Sequence, residues 1–205
     1  MKIDNSSAPK SFRVSKQSVV DAAIRCFERY GPSRTSMNDI AEEADISRKT
    51  LYRMFEERPA LIRCVLSQIY ISMGKKIEKR LSQLKDIRDA FIEGSISTLH
   101  IVLNDTLLNE IVRAETDLRV EQFLLMDISE IRTELHRVWS PIISKGKKEG
   151  SVRSNLSDDR ILEMLQGAQT LLSLRQDDSR ETQRSFLDDF LWRALSNCDV
   201  GSAHK

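Results

Sequence analysis

The spacing of apolar residues is the feature that most constrains this chain. Between a few glycines and prolines, apolar side chains recur at steps of three and four, and no sustained alternation with a period of two occurs. Steps of three and four place apolar residues on one face of an α-helix, whereas a half-buried strand needs alternation. The chain has 205 residues, of which 40% are hydrophobic, and this is enough for one or two compact domains. The sequence therefore predicts an all-α protein.

Three helix starts lie close together near the N-terminus. Ser15 is the predicted N-cap of a helix of about four turns that stops at Gly31. Ser36 with Asp39 three residues later resembles a capping box, and Ser47 offers a third N-cap soon after it. Two short helices joined by a tight turn, with a longer helix in front, are the plan of a helix-turn-helix.

Longer helices are predicted behind this region. They cover 59–81, 87–103, 106–114, 118–143, 158–174 and 179–196. Pro141 predicts a kink in the fourth of them, and the stretch 144–155, which contains Gly146 and Gly150, is predicted to be a loop. The domain boundaries that follow are a helix-turn-helix domain at 10–58 and a larger helical domain at 59–200.

The segment 46–55 has an outward face made of hydrogen-bond donors. Its inward side is Leu51 and Phe55, and its outward residues are Arg48, Lys49, Thr50, Tyr52 and Arg53. Such a helix fits a major groove, where Arg or Lys donates to guanine and Thr or Tyr reaches phosphate. The plain alternative is a solvated charged face. Residues 1–58 carry a net charge of +2 and the remainder carries −1, a difference too small to decide the matter alone.

The same region resembles a known family. The residues that carry the resemblance are Ala23, Phe27, Gly31, Thr35-Ser36, Ile40-Ala41, Ala44, Ile46-Ser47, Thr50-Leu51-Tyr52, Phe55 and Leu61. Over 15–62 they resemble the DNA-binding domain of the TetR family of bacterial transcriptional regulators. The resemblance implies a three-helix DNA-binding head, a C-terminal ligand-binding and dimerisation domain, and a homodimer that a small molecule releases from its operator.

Carried over by position, the resemblance assigns roles to individual residues. It implies that Thr35, Ser36 and Tyr52 hold phosphates and that Arg48, Lys49 and Thr50 face the groove. The full predicted DNA-binding set is Thr35, Ser36, Ser47, Arg48, Lys49, Thr50, Tyr52, Arg53 and Arg58. The chain departs from the family pattern at two positions. Asp45 replaces the usual turn glycine, which Asp tolerates because it visits left-handed backbone conformations. Pro59 cannot donate a backbone N–H, although Arg58 before it keeps the cation.

The last two predicted helices carry wide apolar stripes. The stripes are Ile161, Leu165, Ala168 and Leu172, and then Phe186, Leu187, Phe190, Leu191, Ala194 and Leu195. They are too wide for one exposed terminal hairpin, which favours burial against a second copy in a four-helix interface. The alternative is that both helices close the core of a single chain.

An effector cavity is expected among the central helices. Its candidate lining residues are Tyr70, Phe91, Leu99, Phe123, Met126, Trp139 and Gln169. Ordinary core packing is the alternative for each of them. Few charges fall on the apolar faces, so the sequence predicts a largely apolar effector.

Motifs for enzymatic chemistry and for export are absent from the sequence. It has no HExxH, no GxSxG and no glycine-rich phosphate loop. We therefore expect that the protein is not an enzyme and binds no cofactor. Its three cysteines show no CxxC spacing, and no apolar run is long enough for a membrane helix or a signal peptide. We therefore expect a cytoplasmic ligand-responsive repressor that binds operator DNA as a homodimer and has no membrane partner. The alternative is a helical adaptor or a helical enzyme that does not bind DNA, and such a protein would lack salt-dependent binding to duplex DNA.

Overall fold

The computed structural model of the protein describes residues 15–115, 129–175 and 179–197. The helices in these ranges are α1 (Lys16–Tyr30), α2 (Met37–Glu43), α3 (Arg48–Met54), α4 (Arg58–Leu81), α5 (Ile87–Leu103), α6 (Thr106–Ala114), α7 (Ser129–Lys148), α8 (Asp158–Ser173), α9 (Arg180–Leu187) and α10 (Arg193–Leu195). A 3₁₀ turn, Pro32–Arg34, precedes α2, and a π-helical turn, Asp188–Trp192, joins α9 to α10. An isolated antiparallel bridge pairs Val152 with Ser196. The all-α prediction is confirmed.

The chain divides into two compact units, Met1–Val65 and Leu66–Lys205. The division falls inside α4, so that the first turns of α4 belong to the N-terminal unit. The sequence places the domain boundary before Pro59, at the start of this helix. Within the described ranges, no helix is both long enough and apolar enough to cross a membrane.

The helices of the N-terminal unit begin where the sequence predicts. The side chains of Ser15, Ser36 and Ser47 each accept a hydrogen bond from the backbone N–H three residues later, which satisfies a donor that has no partner within the helix. Gly31, with φ of 80°, ends α1 and donates its N–H to the Phe27 carbonyl at 2.8 Å. The three predicted N-caps are confirmed, and the 3₁₀ turn that follows Gly31 was not foreseen.

Asp45 makes the tight turn between α2 and α3. Its φ of 52° lies in the left-handed region, as the sequence predicts for the residue that replaces glycine. The Asp45 N–H donates to the Glu42 carbonyl and the Ile46 N–H to the Ala41 carbonyl, both at 3.0 Å. This turn allows α3 to start only a few residues after α2 ends.

In the C-terminal unit, α5 is the central helix and packs against α7, α8, α9 and the π-helical turn. Three rings from three of these elements form what we call the aromatic cluster. The Phe91 ring of α5 stacks on Trp139 of α7 with centroids 5.9 Å apart and lies 6.1 Å from Trp192 of the π-helical turn. Phe91 and Trp139 are no more than 1% exposed, whereas Trp192 is half-buried, so this cluster reaches from the interior toward the surface of the unit.

The predicted loop at 144–155 is wrong at its start, because α7 continues to Lys148. Gly146 is buried inside α7, where a Cβ atom would lie 2.5 Å from Val152 Cγ2 and 3.0 Å from Ile87 Cγ2. This glycine therefore serves close packing and does not break the helix, whereas Gly150, with φ of 77°, lies in the turn that follows. Pro141 lies inside α7, and the kink expected there stays a prediction.

The apolar stripes of the last two helices are largely buried within a single chain. Ile161, Leu165, Ala168, Leu172, Leu187, Leu191 and Leu195 are each no more than 1% exposed. These residues therefore help to close the core of a single chain, which was the alternative to a dimer interface, because α8 and the π-helical turn pack against α5 and bury this face. The large apolar residues left exposed on these elements are Leu171 (43%), Leu174 (57%) and Phe190 (48%).

Candidate nucleic-acid interface

One side of α3 packs against the N-terminal unit, and the opposite side is exposed to solvent. Leu51 is fully buried and Phe55 is 3% exposed, so these two residues fix the inward side. At the N-terminus of α3, Ser47 Oγ accepts from the Thr50 N–H at 3.1 Å and lies 2.9 Å from Thr50 Oγ1. The cap and the buried pair together orient the opposite side of α3 toward solvent. We call Ser47, Arg48, Lys49, Thr50, Tyr52 and Arg53 the α3 face.

Among the described residues, the cations of the α3 face have no acidic partner. Arg48, Lys49 and Arg53 are exposed and form no ion pair with any described residue, and Tyr52 is 47% exposed. Arg25 of α1 differs, since its Nε lies 2.7 Å from Glu43 Oε1. The free charges and the phenol of the α3 face are therefore available to phosphate oxygens and base edges.

Lys16 adds a cation that the sequence argument did not select. It is the first residue of α1, and its Nζ lies 5.6 Å from the centroid of the Phe55 ring at the C-terminal end of α3. This is within the range of a cation–π contact. No motif marks Lys16, because the contact joins residues that are distant in sequence.

Ser36 lies at the N-terminus of α2 and is occupied by its own capping box. Its N–H and its hydroxyl donate to Asp39 Oδ2 at 2.7 and 2.8 Å, and its Oγ accepts from the Asp39 N–H at 3.3 Å. These hydrogen bonds hold the pKa of the Asp39 carboxyl below its ordinary value, the backbone bond having the larger effect. A phosphate would have to compete with Asp39 for the Ser36 hydroxyl.

Thr35 and Arg58 are not part of the α3 face. Thr35 is 3% exposed, and its hydroxyl donates to the Gly31 carbonyl at 2.9 Å. The Arg58 guanidinium donates to the carbonyls of Thr35 and Pro32, both at 2.7 Å, and lies 5.5 Å from the centroid of the Phe27 ring. Both side chains therefore stabilise the segment between α1 and α2. The sequence motif carries no signal for whether such a side chain points inward or outward.

Five of the candidate effector residues lie in the interior of the C-terminal unit. Tyr70, Phe91, Leu99, Trp139 and Gln169 are each no more than 8% exposed. The structure brings Phe91 and Trp139 together in the aromatic cluster. Burial raises the pKa of the Tyr70 hydroxyl, and nearby Glu134 raises it further. Phe123 and Met126 lie outside the described residues.

A cation site is not formed in the part of the chain that the structure describes. No three His, Cys, Asp or Glu side chains within it are arranged to hold a metal ion.

Comparison with known proteins gives a consistent result. Residues 19–64 match the family model of the bacterial regulatory proteins of the tetR family. An uncharacterized HTH-type transcriptional regulator of Mycobacterium tuberculosis is 30% identical over 90 residues, which are 44% of this chain and 45% of that protein. The chain thus matches less than half the length of this relative. The HTH-type transcriptional repressor KstR2 of Rhodococcus jostii is 24% identical over 139 residues, covering 67% of this chain and 68% of that protein.

Solved structures show the same fold. The transcriptional repressor QsdR of R. erythropolis, described as a TetR family protein, has a TM-score of 0.64 at 19% identity, covering 88% of this chain and 95% of that chain. RolR in complex with resorcinol has a TM-score of 0.59 at 18% identity, covering 88% and 87%. At these identities the similarity establishes the fold.

Proposed function

We propose that this chain belongs to the TetR family of bacterial transcriptional regulators, whose family model matches residues 19–64, and that it is a ligand-responsive repressor. In this proposal a homodimer binds palindromic operator DNA and a small, largely apolar effector releases it. The observation that carries the proposal is the α3 face, on a short capped helix with an exposed tyrosine and three cations that form no ion pair within the described part of the chain. Unpaired cations on a helix of this size suit a major groove, since binding breaks no existing ion pair.

The DNA contact is tested with matched lysine variants. An operator is first selected from random duplex DNA by the wild-type protein. Lys49→Ala removes a cation from the α3 face, whereas Lys76→Ala removes another exposed cation from the C-terminal unit. Lys49→Ala should weaken operator binding by about 1–3 kcal/mol, the range for a lost direct contact, and Lys76→Ala should leave it unchanged.

Two further results bear on the same contact. Arg48→Ala or Lys49→Ala should alter the selected sequence, and wild-type affinity should fall steeply with salt, because phosphate contacts release counterions. A folded triple variant with Lys49→Ala, Thr50→Ala and Tyr52→Ala that binds as tightly as wild type would refute the assignment of the α3 face.

Dimerisation in this proposal uses an apolar patch on the last helices. We assign to this patch the exposed Leu171 and Leu174 at the C-terminal end of α8, the half-buried Phe186 of α9 and the exposed Phe190 of the π-helical turn. The rings of Phe186 and Phe190 stack with centroids 5.3 Å apart, and the Arg175 guanidinium lies 4.8 Å from the Phe186 centroid. An apolar patch of this kind favours a partner surface. A second copy is the partner that a palindromic operator requires, with half-sites about 34–36 Å apart or a multiple of that distance.

Effector control requires binding in the C-terminal unit to alter the DNA affinity of the N-terminal one. A ligand changes that affinity only if it binds two arrangements of the protein with different affinity. The helix α4 is the proposed carrier, because its 24 residues begin in the N-terminal unit and continue into the C-terminal one. The buried interior around the aromatic cluster supports a largely apolar effector.

This part is tested by titrating operator complexes with a panel of apolar small molecules. Wild type, Tyr70→Ala, Phe91→Ala and Trp139→Ala are compared, and Ile71→Ala serves as the exposed neighbour control. The three buried variants should change the concentration that releases DNA more than they change basal DNA affinity. Release of all variants at the wild-type concentration would place the effector site elsewhere.

A further inference from the structure

Gln169 presents a buried donor that the protein leaves without a partner. The residue lies on the inward side of α8 and is 2% exposed, and its Nε2 forms no hydrogen bond. No other buried side-chain nitrogen or oxygen in the described ranges is left in this state. Leaving such a group unpaired is destabilising, so its presence calls for an explanation.

The surroundings of α8 point to the interior expected to take an effector. This helix packs against α5, α7 and the π-helical turn. The same three elements carry Phe91, Trp139 and Trp192 of the aromatic cluster. Gln169 is therefore buried on a helix whose packing partners carry the aromatic cluster, and an otherwise apolar molecule bound among these elements would need one polar group to pair with the Gln169 amide.

The buried hydroxyls of α5 and α8 are already in use. On α5, Ser95 Oγ donates to the Phe91 carbonyl at 2.6 Å and Thr98 Oγ1 donates to the Gly94 carbonyl at 2.8 Å. On α8, Thr170 Oγ1 donates to the Gln166 carbonyl at 2.8 Å. Among these groups Gln169 alone has a proton to give, so the complementary group on a ligand is an acceptor.

The buried charges are also paired, which constrains the charge of that acceptor. Glu93 of α5 pairs with Arg180 and Arg184 of α9, and Glu134 of α7 lies 2.7 Å from the Arg137 guanidinium. In the described part of the chain these are the two buried charged residues. A carboxylate entering this interior would find no free cation, and burying it unpaired would be costly. An uncharged oxygen avoids that cost.

We propose that Gln169 is the polar anchor of the effector site, donating from Nε2 to an uncharged oxygen on an otherwise apolar effector. Ketones, esters and lactones carry such an oxygen. This inference rests on the proposed function, because it identifies the chemical class of the effector that the proposal requires.

Matched pairs of ligands test the anchor. Thermal unfolding of the full-length protein is measured with acetophenone against ethylbenzene, and with benzophenone against diphenylmethane, at equal concentrations. Benzoate is the charged control. In wild type each ketone should raise Tm more than its hydrocarbon partner, and benzoate should raise it least.

Two variants show whether the preference comes from Gln169. In Gln169→Leu the ketone and hydrocarbon of each pair should become equivalent, and Tm without ligand should rise by about 2–4 °C, the shift expected when one unpaired buried donor is removed. In Gln166→Leu, which alters a half-buried residue of the same helix, the ketone preference should remain.

Three results would overturn the inference. They are equal stabilisation of wild type by ketone and hydrocarbon, no stabilisation by either, and a lower Tm for Gln169→Leu without ligand. Operator binding is measured separately on the same proteins. A wild-type protein that prefers ketones and binds no operator would reject the proposed function and keep the anchor. Operator release that is unchanged in Gln169→Leu would reject the anchor alone.

Discussion

The arginines of the N-terminal unit fall into groups that differ in their partners. Arg25 and Arg29 lie 2.7 and 3.4 Å from the Glu43 carboxylate, and Arg58 donates to two backbone carbonyls. Arg48 and Arg53 have neither kind of partner within the described residues. Exposed ion pairs contribute little to stability, so the pairs on α1 matter mainly because they neutralise that surface. Unpaired positive charge is left where α3 faces solvent.

Asp45 gives a prediction at the scale of one residue. Its φ of 52° is strained for a residue with a Cβ atom, and Asp reduces the strain more than most side chains do. Asp45→Gly should leave Tm unchanged or raise it, and Asp45→Val should destabilise the protein by about 1–2 kcal/mol. Thermal unfolding of both variants checks this. Equal Tm values for Gly and Val at this position would show that the turn is not strained.

At the scale of single elements, the capping box of α2 predicts a pH dependence. Hydrogen bonds from Ser36 hold the pKa of Asp39 below its ordinary value of 3.8. A lowered folded-state pKa contributes stability that is present above 3.8 and is lost as the pH falls through the folded-state pKa. The difference in Tm between wild type and Asp39→Asn should therefore be larger at pH 7 than at pH 3.

The control for this pH dependence is Glu42→Gln, on the same helix. Glu42 has no part in the capping box, so the difference in Tm between wild type and this variant should change less between the two pH values. An Asp39→Asn difference that stays constant with pH would contradict the role assigned to the carboxylate.

Two glycines in helices make a second prediction for single elements. A Cβ atom at Gly146 would meet Val152 Cγ2 at 2.5 Å, whereas at Gly167 of α8 it would meet nothing within 4 Å. Gly146→Ala should destabilise the protein by about 1–3 kcal/mol through overpacking, although alanine favours helices. Gly167→Ala should stabilise it by up to about 1 kcal/mol. Denaturant unfolding of both variants tests the contrast, which fails if the two shifts have the same sign.

The bounds of the elements were predictable where capping residues mark them. Ser15, Ser36 and Ser47 start α1, α2 and α3 in both the prediction and the structure, because a cap is a local interaction. The end of α7 was missed because Gly146 is determined by its packing against Val152, a contact that appears only in the folded chain. The π-helical turn was missed for the same reason, since no local signal separates it from the helix on either side.

At the scale of the molecule, the sequence located the apolar residues but not the surface they form. Large apolar residues occupy neighbouring positions near the end of the chain, so periodicity alone could not separate Leu187 and Leu191, which are buried, from Phe190, which is exposed. Sequence reasoning has the same limit at the proposed DNA-binding site. The family motif includes both Thr50 of α3 and Thr35, and it does not show that Thr35 is buried. Whether each of these side chains is buried or exposed depends on its packing partners, which lie in distant parts of the sequence.

The apolar patch predicts the assembly state. Phe190→Glu and Leu174→Glu place a charge on an exposed apolar surface and should yield folded monomers of 23.6 kDa, whereas wild type should sediment at twice that mass. Leu103→Glu, at a comparably exposed leucine on α5, should remain dimeric. Leu187→Glu should unfold the protein, because Leu187 is fully buried. A folded wild-type monomer at micromolar concentration would rule out this interface.

The aromatic cluster also gives the protein an intrinsic optical reporter. The chain contains two tryptophans, Trp139 and Trp192, and both belong to this cluster in the C-terminal unit. Their emission therefore originates in the unit proposed to bind the effector, whereas the proposed DNA-binding unit contributes no tryptophan signal. Quenching or a spectral shift on adding a small molecule would report events in that interior directly. Fluorescence can thus follow one half of the regulatory cycle without a label, while labelled DNA follows the other.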